Sequence, residues 1–267
     1  MKPLIILLLI ISAISFKEKD DINFDIDTWG TLPSIQNNAF KRGEKLSYRL
    51  HYGIIDAAVA TLAVTDENLE FAGRKTMHVV CIGTSSGMSD WFFKVRDRYE
   101  SYIDEEALVP WMFIRRIDEG GYVGKQDYIF NPFNKKVRTG KDCVFDVTPD
   151  IQDMISAFYR ARTMDLSNAK EGTIYVVDCF VDEKIFPVKI KFIARENVKT
   201  SLGTIECLKF RPIIQTGRIF KHEEDLNIWI SDDDNHILVK GKADILFGSV
   251  QVELTNYSGL ANTIILK

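Results

Sequence analysis

Apolar and polar residues alternate with a period of two through most of this chain, and a single long stretch breaks that pattern with helical spacing. The exception is Thr148-Pro149-Asp150-Ile151-Gln152-Asp153-Met154-Ile155-Ser156-Ala157-Phe158-Tyr159-Arg160-Ala161-Arg162. Thr148 suits the cap, Pro149 the first helical position, where its missing N–H costs nothing, and Asp150 the positive end of the dipole. Ile151, Met154, Ile155 and Phe158 fall on one face. Asp153, Ser156 and Arg160 fall on the opposite one, and Arg162 lies near the apolar side at the end. One helix among strands spaced at roughly ten residues predicts a mainly β protein, with curved antiparallel sheets or an open barrel wrapped around a central amphipathic helix.

The strands can be followed in order. Leu46, Tyr48, Leu50 and Tyr52 alternate with Lys45, Ser47, Arg49 and His51, and Ala58, Ala60, Leu62 and Val64 resume the alternation after Gly53. These two form a hairpin, and the alanines leave room on its inner face for a helix or for an apolar ligand. Residues 68–72 and 75–82 form the next pair, turned at Gly73. Gly83-Thr84-Ser85-Ser86-Gly87 reads as a loop that breaks the sheet; it lacks the Lys-Ser/Thr ending of a phosphate-binding loop. Met88-Ser89-Asp90-Trp91-Phe92-Phe93-Lys94 follows, an aromatic segment that suits the cap of a cavity mouth or the plug of a barrel end.

Val95 to Ile103 is a charged strand with Val95, Asp97, Tyr99, Ser101 and Ile103 on one side. Residues 111–117 and 122–130 pair around Gly120-Gly121. Beyond the helix, 173–181 and 184–194 form a long hairpin in which Pro187 marks an edge or a bulge. Residues 204–214, 226–230, 237–247 and 249–257 complete the strands.

The N-terminus carries an address. Met1-Lys2-Pro3 is a short basic start, Leu4 to Ile11 is unbroken apolar sequence, and Ser12-Ala13-Ile14-Ser15 offers the small residues of a signal-peptidase site. The run is shorter than the roughly 20 residues that cross a bilayer. Residues 1–15 are therefore expected to be a signal peptide, 16–38 a flexible lead, and 39–267 one β-rich domain in the periplasm or outside the cell. Export permits disulfides. Cys81, Cys143, Cys179 and Cys207 sit far apart, each in an apolar setting; buried free thiols are the commoner outcome there, and Cys143 with Cys179 is the pair to test.

Chemistry is harder to find. The net charge of −4 is spread along the chain, which argues against a nucleic-acid surface. His51, His78, His222 and His236 have no zinc or nucleophile motif around them, and Asp232-Asp233-Asp234-Asn235 lacks the glycine and distal glutamate of a calcium loop. No catalytic residue, metal or cofactor is assigned. An envelope glycan hydrolase would need two carboxyls about 5 to 9 Å apart, which sequence does not place. A structural module docking a membrane protein is a further reading. The favoured one is an extracytoplasmic, non-catalytic protein that binds an apolar or lipid-like ligand or an envelope protein, with Met88, Trp91, Phe92, Phe93, Asp153, Ser156 and Arg160 as ligand-site candidates.

Several short motifs carry a resemblance. Phe40-x-x-Gly43-Glu44-x-Leu46-x-Tyr48, Ser101-Tyr102-Ile103-Asp104 with Pro110 following, Gln152-Asp153-Met154-Ile155-Ser156-Ala157, Leu202-Gly203-Thr204 and Trp229-Ile230-Ser231-Asp232-Asp233 occur in an order that resembles an exported bacterial family known as domain of unknown function 3108. The likeness runs from about Ala39 to Tyr257. It implies a β-rich exported domain and brings no activity or site residues. In architecture the chain is more loosely similar to periplasmic half-barrel carriers of lipoproteins.

Overall fold

A computed structural model describes residues 30–213, 225–245 and 248–267. The elements in order are β1 (Lys45–Tyr52), β2 (Ile55–Val64), β3 (Leu69–Phe71), β4 (Arg74–Ser85), α1 (Gly87–Phe92), β5 (Arg96–Asp104), β6 (Pro110–Glu119), β7 (Tyr122–Asn131), β8 (Lys136–Thr139), β9 (Val144–Asp146), α2 (Met154–Arg162), β10 (Ile174–Val181), β11 (Lys184–Thr200), β12 (Gly203–Pro212), β13 (Leu226–Ser231), β14 (Leu238–Asp244) and β15 (Ser249–Ser258). The strands form one antiparallel sheet in the order β10-β11-β12-β13-β14-β15-β1-β2-β4-β5-β6-β7-β8-β9, with β3 on β4.

β1 therefore joins the last strand to the second, and the sheet stays open between β9 and β10. The connection across that opening carries α2. At the seam between β15 and β1 the backbones nearly touch: a Cβ on Gly259, whose φ is +66°, would lie 2.1 Å from the Gly43 carbonyl oxygen. Only glycine fits such an approach.

Ile155 and Tyr159 of α2 share the main apolar cluster with Leu46, Tyr48, Tyr99, Phe113, Tyr128 and Leu254. Leu166 and Ala169, just after the helix, cover Phe192, Leu208 and Phe210. The C-terminal turn of α2 is held by Arg162. Its guanidinium meets Glu44 at 2.6 and 2.7 Å and donates to the carbonyls of Asn235 at 2.8 Å and Ala39 at 2.9 Å.

The helix is shorter than its sequence pattern predicts. It starts at Met154, with Asp153 rather than Thr148 as the cap. Gln152 is instead drawn into a parallel bridge to β10: its N–H donates to Asp178 O at 2.8 Å and its carbonyl accepts from Phe180 at 2.7 Å. Those two bonds outcompete another helical turn. The polar face is corrected with it. Asp153 and Ser156 are fully buried, and the buried side chains of α2 are Ile155, Ser156, Tyr159 and Arg162.

Gly83, Thr84 and Ser85 prove to be strand rather than loop, because β4 runs on to Ser85 against both β2 and β5. All four cysteines are free. The Cys143–Cys179 bridge is absent: Cys179 is buried on β10, Cys143 is exposed between β8 and β9, and each thiol turns back to a carbonyl two residues before it. The expected signal peptide and His222 lie outside the described residues. Among the described residues, no helix is long and apolar enough to cross a membrane.

Candidate ligand-binding trough

One face of β1, β2, β4, β5 and β6 lines the interior, and its layers can be read from the strand register. Starting at the α1 end, Leu50, Ala58 and Ser85 stand side by side; then Tyr48, Ala60, Gly83 and Asp97; then Leu46, Leu62, Cys81, Tyr99 and Arg115; then Val64, Val79, Ser101 and Phe113. Successive layers are about 7 Å apart along the strands. The fourth layer receives α2, whose N-cap Asp153 accepts the Ser101 hydroxyl at 2.6 Å.

The second layer is different. Between Tyr48 and Asp97 its two strands contribute only Ala60 and Gly83, over a span of about 14 Å at the usual strand spacing. Both are half-buried although they face inward. A Cβ built on Gly83 would meet, among the described residues, only the Asp97 Cβ at 3.9 Å. Beside α1 the inner face of the sheet is thus floored by small, half-buried residues, and this strip is the candidate trough.

α1 forms its upper edge. Ser86 N–H donates to the Ala57 carbonyl at 3.1 Å, and Arg96 holds Asp90 at 2.7 and 3.0 Å, keeping the Asp90 carboxyl down at about 2. No residue of α1 is buried: Met88, Trp91 and Phe92 are 72%, 82% and 70% exposed. Phe93 turns inward against Gly120, where the β6–β7 turn comes so close that a side chain would collide with its ring.

The wall opposite Tyr48 is polar. Asp97 and Glu119 are both buried. Burial first, then the charge and hydrogen bond of Glu119, lifts Asp97 to about 7. The two carboxyls touch, closer than the roughly 5 Å minimum for a pair that brackets a glycosidic bond. Arg115 lies below them, 5% exposed, 5.7 Å over the Tyr99 ring. Its Nη1 reaches Gln126 only at 3.4 Å and Asp182 at 3.9 Å, and its Nε has no hydrogen-bond partner. The hydroxyl of Tyr48 has none either, and that of Tyr99 lies against Arg115.

The candidates read from the sequence are therefore divided between two places. Met88, Trp91, Phe92 and Phe93 stand at the trough. Asp153 and Ser156 form a capping box, Asp153 accepting from Ile155 N at 2.7 Å and Ser156 N at 2.8 Å while Ser156 Oγ accepts from Asp153 N at 2.8 Å. Burial lifts Asp153 to about 6 against those bonds. Arg160 stands apart, 3.4 Å from Asp150.

Arg115, Glu119 and Gly83 are not among the site residues the sequence points to, whereas Ala60 is one of the inner-face alanines expected to leave room for a helix or an apolar ligand. Alternation does place Arg115 on the side of Trp111, Phe113 and Ile117, a buried cation in an apolar row, and that was the available signal. The acidic Asp232–Asn235 turn is closed on itself, with Asp233 accepting Ser231 Oγ at 2.7 Å and Asn235 N at 2.9 Å. No cluster of three or more metal-binding side chains occurs among the described residues. A cavity of about 330 Å³ opens at the other end, between Gly30 and the β3–β4 turn, but its cation Arg74 is held by Asp104 at 2.5 and 2.7 Å.

No curated protein matches the chain. Solved structures similar to it include the β-barrel-like protein of domain of unknown function 1849 from Brucella abortus, at 10% identity and TM-score 0.49 over 83% of this chain and 99% of that one. A DUF1089 family protein from Pseudomonas aeruginosa aligns at 9% identity and TM-score 0.29 over 82% and 95%. Lipoprotein LppX from Mycobacterium tuberculosis aligns at 14% identity and TM-score 0.17 over 84% and 89%. The profile of the family described as protein of unknown function DUF3108 matches residues 47–255, from the middle of β1 to near the end of β15, and the chain belongs to that family.

Proposed function

We propose that this protein is an extracytoplasmic, non-catalytic binder of an apolar or lipid-like ligand, formed by an exported domain spanning residues 39–267. The observation that carries the reading is the trough: two adjacent interior strands present Ala58 and Ser85, then Ala60 and Gly83, where the deeper layers present Leu62, Cys81, Val64 and Val79, and Ile155 and Tyr159 of α2 join the apolar cluster. An apolar chain laid there gains about 25 cal/mol for each Å² it buries, before ordering costs. Met88, Trp91 and Phe92 serve the mouth, where their exposure lets them close on a guest. Asp153, Ser156 and Arg160 serve instead to fix the start and flank of α2.

The test is uptake of the apolar fluorophore N-phenyl-1-naphthylamine by the full-length mature protein purified without detergent. Saturable uptake is expected, weakened at least tenfold by Gly83→Val, which fills the floor with a residue suited to a strand. A protein that takes up none of the probe, or takes it up equally well in both forms, overturns the reading.

A further inference from the structure

We infer that the trough selects a ligand whose head is neutral and rich in acceptor oxygens, an ester or amide carbonyl rather than a phosphate or carboxylate, and that Arg115 and Tyr99 read it. The inference rests on the binding role proposed above and adds the chemistry of the head.

Arg115 is a buried guanidinium with donors to spare. Its best acceptors are Gln126 at 3.4 Å and Asp182 at 3.9 Å, both beyond a good hydrogen bond, and its Nε has no partner. Gln126 faces Arg115 with its amide oxygen at 3.4 Å and donates from its amide nitrogen to Asp182 at 3.0 Å. Beside it, the cross-strand neighbour Tyr99 has a buried hydroxyl that lies against the Arg115 guanidinium and finds no acceptor for its own O–H. Leaving such donors unmatched in an interior costs about 1 to 3 kcal/mol each, so the site is incomplete as it stands. Both residues belong to the layer next to Ala60 and Gly83, within about 7 Å along the strand of the trough floor.

The missing acceptor should carry no charge. Asp182 lies 3.9 Å from Arg115, and Asp97, raised to about 7 by burial and by Glu119 beside it, is within electrostatic reach of the guanidinium. The remaining nearby ion pair, Lys141 with Glu183 at 3.0 Å, is self-contained. Around the guanidinium, negative charge already outnumbers positive. A second anion would meet net repulsion in a medium of low dielectric, whereas a carbonyl oxygen accepts from Nε and from the tyrosine without adding charge.

Three probes with the same oleoyl chain separate the possibilities: mono-oleoylglycerol, oleate and oleoyl lysophosphatidic acid, each competed against N-phenyl-1-naphthylamine on the mature protein. The ester is expected to displace the fluorophore at least tenfold more effectively than either anion. Tyr99→Phe keeps the ring and removes only a hydroxyl that has no acceptor in the protein, so folding is preserved; it should weaken mono-oleoylglycerol about fivefold to tenfold, the equivalent of one hydrogen bond, and leave the fluorophore unchanged. Equal displacement by all three probes, a preference for an anion, or indifference to Tyr99→Phe overturns the assignment of the head while the trough stands. Failure of the fluorophore itself to bind overturns both.

Discussion

Replacing Glu44 with glutamine should be among the most damaging conservative changes in this protein. Glu44 and Arg162 are 0% and 2% exposed at the side chain. The carboxylate takes two bonds at 2.6 and 2.7 Å, and the guanidinium spends its other donors on Asn235 and Ala39. Three rings close the shell, Tyr159 at 5.1 Å, Phe40 at 5.3 Å and Phe158 at 5.7 Å from the guanidinium carbon. The amide keeps the shape and removes the charge, leaving an uncompensated cation in a site closed to solvent. Removing one partner of a buried pair costs about 3 to 5 kcal/mol. At about 2 to 4 °C per kcal/mol for a chain of this size, the melting temperature should fall by about 6 to 20 °C. Urea unfolding followed by tryptophan fluorescence measures the change, with Trp111 and Trp229 reporting from buried positions. Adding Arg162→Met to Glu44→Gln should recover part of the loss, because the double variant no longer buries a lone charge. A loss under about 1 kcal/mol for Glu44→Gln would refute the reasoning, since it would mean that Arg162 does not depend on this carboxylate for its counter-charge.

Three other outcomes follow from the same geometry. Asp97 and Asp153 are raised to about 7 and about 6 from 3.8, so the folded protein holds protons that the unfolded chain has released. Their contribution is full below pH 4 and is lost as pH rises through 6 and 7; Asp97→Asn should flatten the upper part of that fall in urea titrations at stepped pH. Burial pushes the thiols of Cys81, Cys179 and Cys207 up to about 12 while Cys143 is exposed, so a thiol reagent at pH 8 should label one cysteine in the native protein and four in denaturant. Gly259→Ala drives a Cβ into the Gly43 carbonyl and forces a positive φ on a side chain; thermal unfolding should show a loss of at least about 2 kcal/mol.

Much of the sheet was legible before any coordinates, because alternation is a local property. Lys45–Tyr52 and the strands paired around Gly73 and Gly120-Gly121 stand close to where their patterns place them. The helix start was misread for a non-local reason. Thr148-Pro149-Asp150 is a sound helix opening by itself, but it cannot reveal that β10 offers Gln152 two backbone bonds and that Ser101 offers Asp153 a partner. Gly83 was read as a loop residue for the same reason. A glycine beside Thr84, Ser85 and Ser86 looks like a break until β2 and β5 are found on both sides of it.

The candidate site divides along that line. The aromatic run Met88–Phe93 is contiguous, so its composition alone marked it. Asp97, Arg115 and Glu119 come from separate positions on two strands, and only the register brings Tyr99 beside Arg115 and Gly83 beside Asp97. The chain by itself determined a β-rich protein, the hairpin turns at Gly73 and Gly120-Gly121 and its family, because these depend on neighbours in sequence. Tertiary structure decided where the interior is full and where it is thin, since that depends on which side chains four strands place in one layer and on which layer α2 enters.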